Sequence, residues 1–301
     1  MTPEIIQKEK HFLNSDHMGG FVQVGDVRVH YYEQGEGEPL LLIHTLGQSL
    51  YTWHKVIGRF AASYRVIAVD VPGHGYSDKL LADPDYTLHT TSDRLIGVLD
   101  ALNVEKAHVC AFSMGALFAL DMAERYADRI GRMVLISPGG LTPTMPYAIR
   151  SLDSSLTGWF TAATLSEKTV AELLTDAFFD QTLITNEMVR EYYIPLADKD
   201  SRTALRTALR AFNEDDVIAA LRDVQSEVLI IWGVDDRWHE VSIAEIFHIA
   251  LQKVEFALIR NCGHILHEEK PQRFLEYALD FFAYGMHPAE EEASSGAPAA
   301  L

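Results

Sequence analysis

A serine, a pair of aspartates and a histidine, each just past an apolar run, are the residues of this chain whose types and placement fit covalent chemistry. Ser113 ends the run in AHVCAFSMGALFAL, and Gly115 follows where helical spacing begins. A sharp strand-to-helix turn holds a serine hydroxyl in strained backbone geometry and needs small residues two before and two after it. Ala111 and Gly115 supply them. The helix that starts behind the serine leaves N–H groups unpaired, so the N–H of Met114 is placed to receive the negative oxygen of a tetrahedral intermediate. The plainer reading of the segment is an ordinary serine capping a helix.

In EVLIIWGVDDRWHE a buried run ends at Gly233, and Asp235 and Asp236 follow; either can orient an imidazole. In VEFALIRNCGHILHEEKPQRF, His264 follows the last run and precedes a helix opening near Pro271, which makes it the candidate base. A lone histidine is more often a packing residue than a catalyst. Three such groups at the ends of three runs can act together: the serine attacks a carbonyl carbon, the histidine takes its proton, and the carboxylate fixes the imidazole tautomer.

Those positions need a scaffold, and the apolar pattern predicts one. FVQV and VRVHYYE flank Gly25–Asp26, so residues 20–33 read as a β-hairpin. LLLIHT, RVIAVDV, AHVCAFS, RMVLIS, EVLIIWG and VEFALI suit strands buried on both faces. SLYTWHKVIGRFAAS, TLHTTSDRLIGVLDALN and GALFALDMAERYAD between them carry apolar residues at helical spacing. The alternation predicts an α/β protein with a parallel sheet and helices on both faces. It stops after Ser137-Pro138-Gly139-Gly140, and residues 142–222 read as helices alone, as in SEKTVAELLTDAFFD, TNEMVREYYIPLA and SRTALRTALRAF. A helical insert between two parallel strands is expected to lie as a cap over the sheet's C-terminal edge, where α/β proteins bind ligands. The expected organisation is an extension over 1–19, core segments over 20–141 and 223–285, the cap over 142–222, and a disordered acidic tail over 286–301.

Composition narrows the function classes. The 301 residues carry 25 Lys+Arg against 43 Asp+Glu, a net charge of −18, which repels phosphate backbones and anionic headgroups. Nucleic acid is therefore not an expected partner; a small molecule is. Hydrophobic residues at 48% and charged residues at 23% fit a soluble globular chain and exclude disordered or collagen-like classes. Cys110 and Cys262 are the two cysteines, too few for a disulfide or cysteine–metal framework, and are expected reduced and half-buried. No run of about 18 apolar residues and no cationic start with an apolar stretch occurs, so the expectation is a cytoplasmic protein without a membrane span.

Taken together, the motifs resemble the α/β-hydrolase superfamily over residues 20–284. LLLIHTLGQS resembles that family's oxyanion loop, DVPGHGYSD its segment after the next strand, AFSMGA its nucleophile turn, and WGVDD and CGHILHEEKP its acid and histidine loops. The order Ser…Asp…His is also the family's. The resemblance implies an α/β-hydrolase fold with a helical cap, Ser113 as nucleophile, His264 as base, Asp236 as acid with Asp235 as the fallback, and the N–H groups of Leu46 and Met114 as oxyanion donors. Three departures stand out. Thr45 replaces the usual Gly after His44 and puts a β-branched residue beside the oxyanion site; Ala111 and Ala116 replace common glycines; Glu240 replaces a common Pro.

His264 and His267 lie three apart with no carboxylate companion set, so no metal is expected, and His267 is expected to pack or cap. Gly73 and Gly75 lack the continuation of a dinucleotide fingerprint, and no cofactor is expected. Trp159, Phe160, Phe178, Phe179, Tyr192 and Tyr193 of the cap read as packing residues, with some lining an acyl pocket.

The leading expectation is a serine hydrolase of carboxylic esters, lactones or thioesters with a small to medium apolar acyl group, its activity rising through roughly pH 6 to 8 as its histidine becomes neutral. One alternative keeps the fold but cleaves a carbon–carbon bond in ring-cleavage dienones. Such enzymes typically have Trp after the histidine, where this chain has Ile265, while Arg190 is available for an acidic substrate. The other is a noncatalytic ligand-binding protein of the same fold.

Overall fold

The computed structural model describes residues 18–82, 84–139, 164–211, 213, 221 and 223–286. The expected acidic tail beyond 286, the first 17 residues, residues 83, 140 and 141 of the expected first core segment, and residues 142–163, 212, 214–220 and 222 of the expected cap lie outside this set. Trp159 and Phe160 go with them.

Eight strands form one sheet. β1 (Met18–Val24) and β2 (Val27–Gln34) make the expected hairpin, turning at Gly25, whose φ is +57°. β3 (Glu38–Ile43), β4 (Tyr64–Val69), β5 (Ala107–Phe112), β6 (Ile130–Ile136), β7 (Val228–Gly233) and β8 (Val254–Ile259) follow, in the spatial order β1-β2-β4-β3-β5-β6-β7-β8. β1 and β2 pair antiparallel, as do β2 and β4, and the rest of the sheet is parallel.

The continuous apolar runs are explained by burial on two sides. Leu40, Leu42, Cys110, Phe112, Val134 and Ile136 enter one core cluster, while Leu41, Ile43, Val109, Ala111, Met133 and Leu135 enter another. Neighbours along a strand point to opposite faces, so both parities must be apolar when helices cover both faces.

Among the described residues the helices are α1 (Ile57–Phe60), α2 (Leu88–Ala101), α3 (Gly115–Arg125), α4 (Glu167–Ala177), α5 (Asn186–Tyr193), α6 (Lys199–Ala211), α7 (Ala244–Ala250), α8 (Leu266–Glu269) and α9 (Pro271–Tyr284). Residues 49–63, expected as one helix, instead form a 3-10 turn over Leu50–Trp53 and the short α1. Tertiary bonds break the helix up: Leu50 N–H donates to Asp70 Oδ1 at 2.7 Å, and Thr52 Oγ1 lies 2.8 Å from His267 Nε2.

Between β6 and β7 the chain leaves the sheet, and α4, α5 and α6 lie in that excursion. Each begins on a side-chain cap legible in the sequence: Ser166 accepts from Thr169 N–H, Thr185 from Met188 N–H, and Asp198 from Ser201 N–H. Leu205 and Leu209 of α6, and Val170 and Leu174 of α4, recur at a spacing of four and form buried stripes. Among the described residues, no helix is long and apolar enough to cross a membrane.

Candidate active site

Ser113 follows β5 directly and holds a φ of +52°, a left-handed conformation that costs a non-glycine residue about 1–3 kcal/mol. Its N–H donates to Ile136 O at 2.8 Å, which fixes the turn against the neighbouring strand. Gly115 is required by close approach: a Cβ there would lie 2.5 Å from the His44 carbonyl oxygen. The oxyanion loop and the start of α3 are thereby pressed together, backbone on backbone.

His264 sits on the loop after β8. Gly263 before it packs so tightly that a Cβ would lie 2.2 Å from Ala177 O, and the His264 N–H donates to that same carbonyl at 2.7 Å. The imidazole is fully buried. It stacks on Trp238 with ring centroids 4.9 Å apart, and Phe112 and His239 flank it at 5.0 Å each.

Asp236 leaves the sheet after β7. Its N–H turns back to Gly233 O at 3.2 Å while the Asp235 N–H goes to Cys262 O at 3.0 Å, and this turn aims the second aspartate inward. Asp236 Oδ2 meets His264 Nδ1 at 2.7 Å, and Oδ1 accepts the N–H groups of Trp238 (2.8 Å) and His239 (3.0 Å). Burial pushes this carboxyl up, but the adjacent imidazole and the backbone amides outweigh it and hold it below the usual carboxylate range. The aspartate accepts the Nδ1 proton, so His264 Nε2 is left as an acceptor facing Ser113 Oγ at 3.1 Å. Three side chains from three strand ends thus form one hydrogen-bonded chain, with Asp235 outside it.

Thr45 comes between the Met114 N–H and the open site. The Met114 N–H donates to Thr45 Oγ1 at 3.2 Å. Leu46, Ser113 and Met114 all line a cavity that is walled by α4, α5 and α6. Leu165, Val170, Leu173, Leu174, Leu205 and Leu209 make most of that wall, with Trp238 and Ile265 beside the imidazole. Few polar groups interrupt it. Gln48 is one, and its Oε1 is buried without a hydrogen-bond partner among the described residues. His239 is another; burial, and then the neighbouring His264, push its pKa down to about 3, so it is neutral.

At one end Tyr192 of α5 reaches out of the cavity lining into a buried polar cluster. Its hydroxyl donates to Glu268 and lies 2.9 Å from Thr52 Oγ1, which in turn meets His267 Nε2. His267 therefore packs inside the core, as expected. Arg190 is exposed on α5 and is not among the cavity-lining residues, so it does not meet a bound acid there. Phe178 is buried, Phe179 exposed, and neither lines the cavity. Cys110 and Cys262 are free thiols, fully rather than half buried.

Sequence reasoning missed Gln48, Trp238, His239 and Glu269. The first three lie within four residues of Thr45 or Asp236, so adjacency to a motif was the available signal. Glu269 had none: its carboxylate accepts N–H groups from Gly263, Phe179 and Asp180, which only the folded chain brings together.

The model of the alpha/beta hydrolase fold family matches residues 38–271. The chain belongs to this family. Among curated relatives, this α/β hydrolase is 31% identical over 265 residues to the 2-hydroxy-6-oxo-6-phenylhexa-2,4-dienoate hydrolase of Comamonas testosteroni, covering 86% of this chain and 92% of that one. It is 31% identical over 266 residues to a 2-hydroxy-6-oxononadienedioate/2-hydroxy-6-oxononatrienedioate hydrolase of Paraburkholderia phymatum, covering 85% and 91%. Among solved structures, the meta-cleavage product hydrolase of Pseudomonas fluorescens IP01 superposes with a TM-score of 0.78 at 27% identity, covering 89% of this chain and 99% of that one. The α/β hydrolase is thus similar to carbon–carbon hydrolases. The comparisons favour the alternative drawn from the sequence over the carboxylic ester placed first.

Proposed function

We propose that this α/β hydrolase uses Ser113 as nucleophile, His264 as general base and acid, and Asp236 to orient the imidazole, and that it breaks the carbon–carbon bond beside a ketone in a dienone of the ring-cleavage type. The observation that carries the chemistry is the continuous chain Asp236–His264–Ser113 at the wall of an apolar cavity. Similarity to ring-cleavage hydrolases over most of both chains supports the choice of bond.

In the proposed reaction His264 takes the Ser113 proton as Oγ adds to the ketone carbon, giving a tetrahedral oxyanion beside Leu46 and Thr45. Collapse breaks the carbon–carbon bond and sends its electron pair to the departing carbon. That fragment is a tolerable leaving group only as an enolate delocalised over a conjugated carbonyl, and it takes its proton from His264. Water, activated by the same imidazole, then releases the acid. The leucine wall suits a largely apolar body, and the unpartnered Gln48 Oε1 calls for a hydroxyl on the substrate, because a buried acceptor left unmade costs about 1–3 kcal/mol.

A carboxylic ester with an apolar acyl group is the second reading, favoured by the leucine wall and by Ile265 next to the base. The first steps are shared, and an alkoxide leaves more readily than a carbanion. One experiment separates the two readings: loss of the dienone absorbance of 2-hydroxy-6-oxo-6-phenylhexa-2,4-dienoate, measured beside release of p-nitrophenol from esters of increasing acyl length, for wild type and Ser113→Ala. Dienone turnover at least tenfold more efficient than ester turnover, and lost in the variant, is the expected result. Ester turnover alone would move the assignment to the second reading, and turnover surviving in Ser113→Ala would remove the proposed nucleophile.

A further inference from the structure

The backbone at Thr45 is pinned from behind. Its carbonyl oxygen accepts from His44 Nδ1 at 2.6 Å, and His44 Nε2 accepts the Val71 N–H at 2.9 Å, so the ring is the neutral Nδ1–H tautomer. Burial lowers the His44 pKa, which keeps it so. With the main chain held in this way, the Thr45 side chain projects toward the start of α3 and its Oγ1 accepts the Met114 N–H at 3.2 Å. Thr45 is buried, 6% exposed, and lines the same cavity as Ser113. A hydroxyl that accepts one hydrogen bond still has a proton to donate. No acceptor among the described residues takes it.

We infer that Thr45 is a catalytic residue whose hydroxyl donates to the developing oxyanion, with the Met114 N–H acting through it rather than directly on the substrate. This rests on the reading of Ser113 as nucleophile. The Met114 N–H, at the N-terminus of an eleven-residue helix, polarises the hydroxyl it is bonded to and makes it a stronger donor. The arrangement also explains how a β-branched residue is accommodated beside the oxyanion site: the hydroxyl meets the Met114 N–H and takes over the space of a direct amide contact. A Thr45 that merely blocked the Met114 N–H would not slow the reaction on losing its hydroxyl: Thr45→Val would leave the amide covered and the rate unchanged, and Thr45→Ala would expose the amide and speed the reaction.

The test is the rate at which a small alkyl fluorophosphonate modifies Ser113, followed by intact mass. In that step an Oγ–P bond forms, the P–F bond breaks, fluoride leaves, the serine proton passes to His264, and the phosphoryl oxygen occupies the oxyanion position. Thr45→Val keeps the shape without the hydroxyl and is expected to react about 10- to 100-fold more slowly than wild type. Thr45→Ser, which keeps the hydroxyl, is expected to stay within a few-fold of wild type, with thermal midpoints alike in all three. If Thr45→Val fails to fold, Thr45→Ala against Thr45→Ser makes the same comparison. A Val variant as fast as wild type or faster, or a Ser variant as slow as Val, overturns the inference and leaves Ser113 as nucleophile. Absence of any adduct on wild-type Ser113 overturns the nucleophile reading and the inference with it.

Discussion

Asp236 divides its two oxygens between one imidazole and two amides, and this division defines what the residue can be replaced by. In Asp236→Asn the shape survives, but an amide NH₂ turned toward His264 Nδ1 forces the imidazole proton onto Nε2, where it can no longer accept the Ser113 proton. The expected outcome is a fall in kcat of about 10⁴-fold with KM little changed, read by steady-state kinetics on the substrate that wild type turns over. A loss below tenfold would show that Asp236 does not orient the base. Ser113, His264 and an aspartate were legible because each follows a strand end and the turn that exposes it is local. The residues alone left the choice of aspartate open and the family resemblance pointed to Asp236: the turn that aims it inward combines a local bond to Gly233 with a bond from Asp235 N–H to Cys262 beside β8, which only the fold supplies. Thr45 was visible only as a crowding side chain, since the direction of its hydroxyl depends on a hydrogen bond to Met114, 69 residues away.

At the scale of elements, the six parallel-sheet strands were legible because burial on both faces leaves each of them a nearly continuous apolar run. Their order was not, because β4 lies between β2 and β3 only through a crossover that no local pattern encodes. The helical excursion between β6 and β7 was legible for α4, α5 and α6, but its attachment to the site was hidden. That attachment is Glu269, 5% exposed, whose carboxylate accepts Asp180 N–H at 2.8 Å, Phe179 N–H at 3.2 Å and Gly263 N–H at 2.8 Å. One side chain therefore clamps the residues after α4 to the loop that carries His264, beside the bond from His264 N–H to Ala177 O. Glu269→Ala strands the buried Gly263 donor at about 1–3 kcal/mol, while the part-buried Phe179 and Asp180 donors cost less because water can reach them, so a loss of about 2 kcal/mol is expected in urea unfolding. With the histidine loop loosened, kcat should fall while KM changes little. Glu269→Gln keeps one acceptor oxygen and should lose less of both. An Ala variant within about 0.5 kcal/mol of wild type would mean that the clamp carries no stability.

Across the whole molecule, buried ionisable groups pull stability in opposite directions with pH. Burial lowers the pKa of His54 to about 4, those of His74 and His239 to about 3, and that of His267 well below the ordinary imidazole range. Each stays neutral in the fold while its unfolded counterpart takes a proton below about pH 6.5, so the unfolded chain binds more protons and stability falls as pH drops through that window, by about 1.4 kcal/mol per unit per group at most. Glu268 works the other way. Burial raises its pKa from 4.5 to about 7, against the opposing pull of the Tyr192 hydroxyl, the Lys55 ammonium 4.0 Å away and Thr52, with His54 at 3.8 Å also facing it. Between those values the folded chain holds a proton that the unfolded chain has lost, so the contribution present below about pH 4.5 is lost as pH rises through 7. From pH 4.5 to 6.5 the four histidines outnumber the single carboxyl and stability climbs; above 6.5 Glu268 is the one of these five groups that still titrates, and stability declines. The maximum is therefore expected near pH 6.5, read as the unfolding free energy from denaturant titrations between pH 5 and 9. Glu268→Gln keeps an acceptor for Tyr192 but removes the charge. Its stability should level off above pH 6.5 and exceed that of wild type by about 3 kcal/mol at pH 8, with the difference vanishing toward pH 4.5. Parallel curves for the two proteins would show that Glu268 is ionised in the fold throughout, and would assign the alkaline decline to the repulsion within a chain of net charge −18.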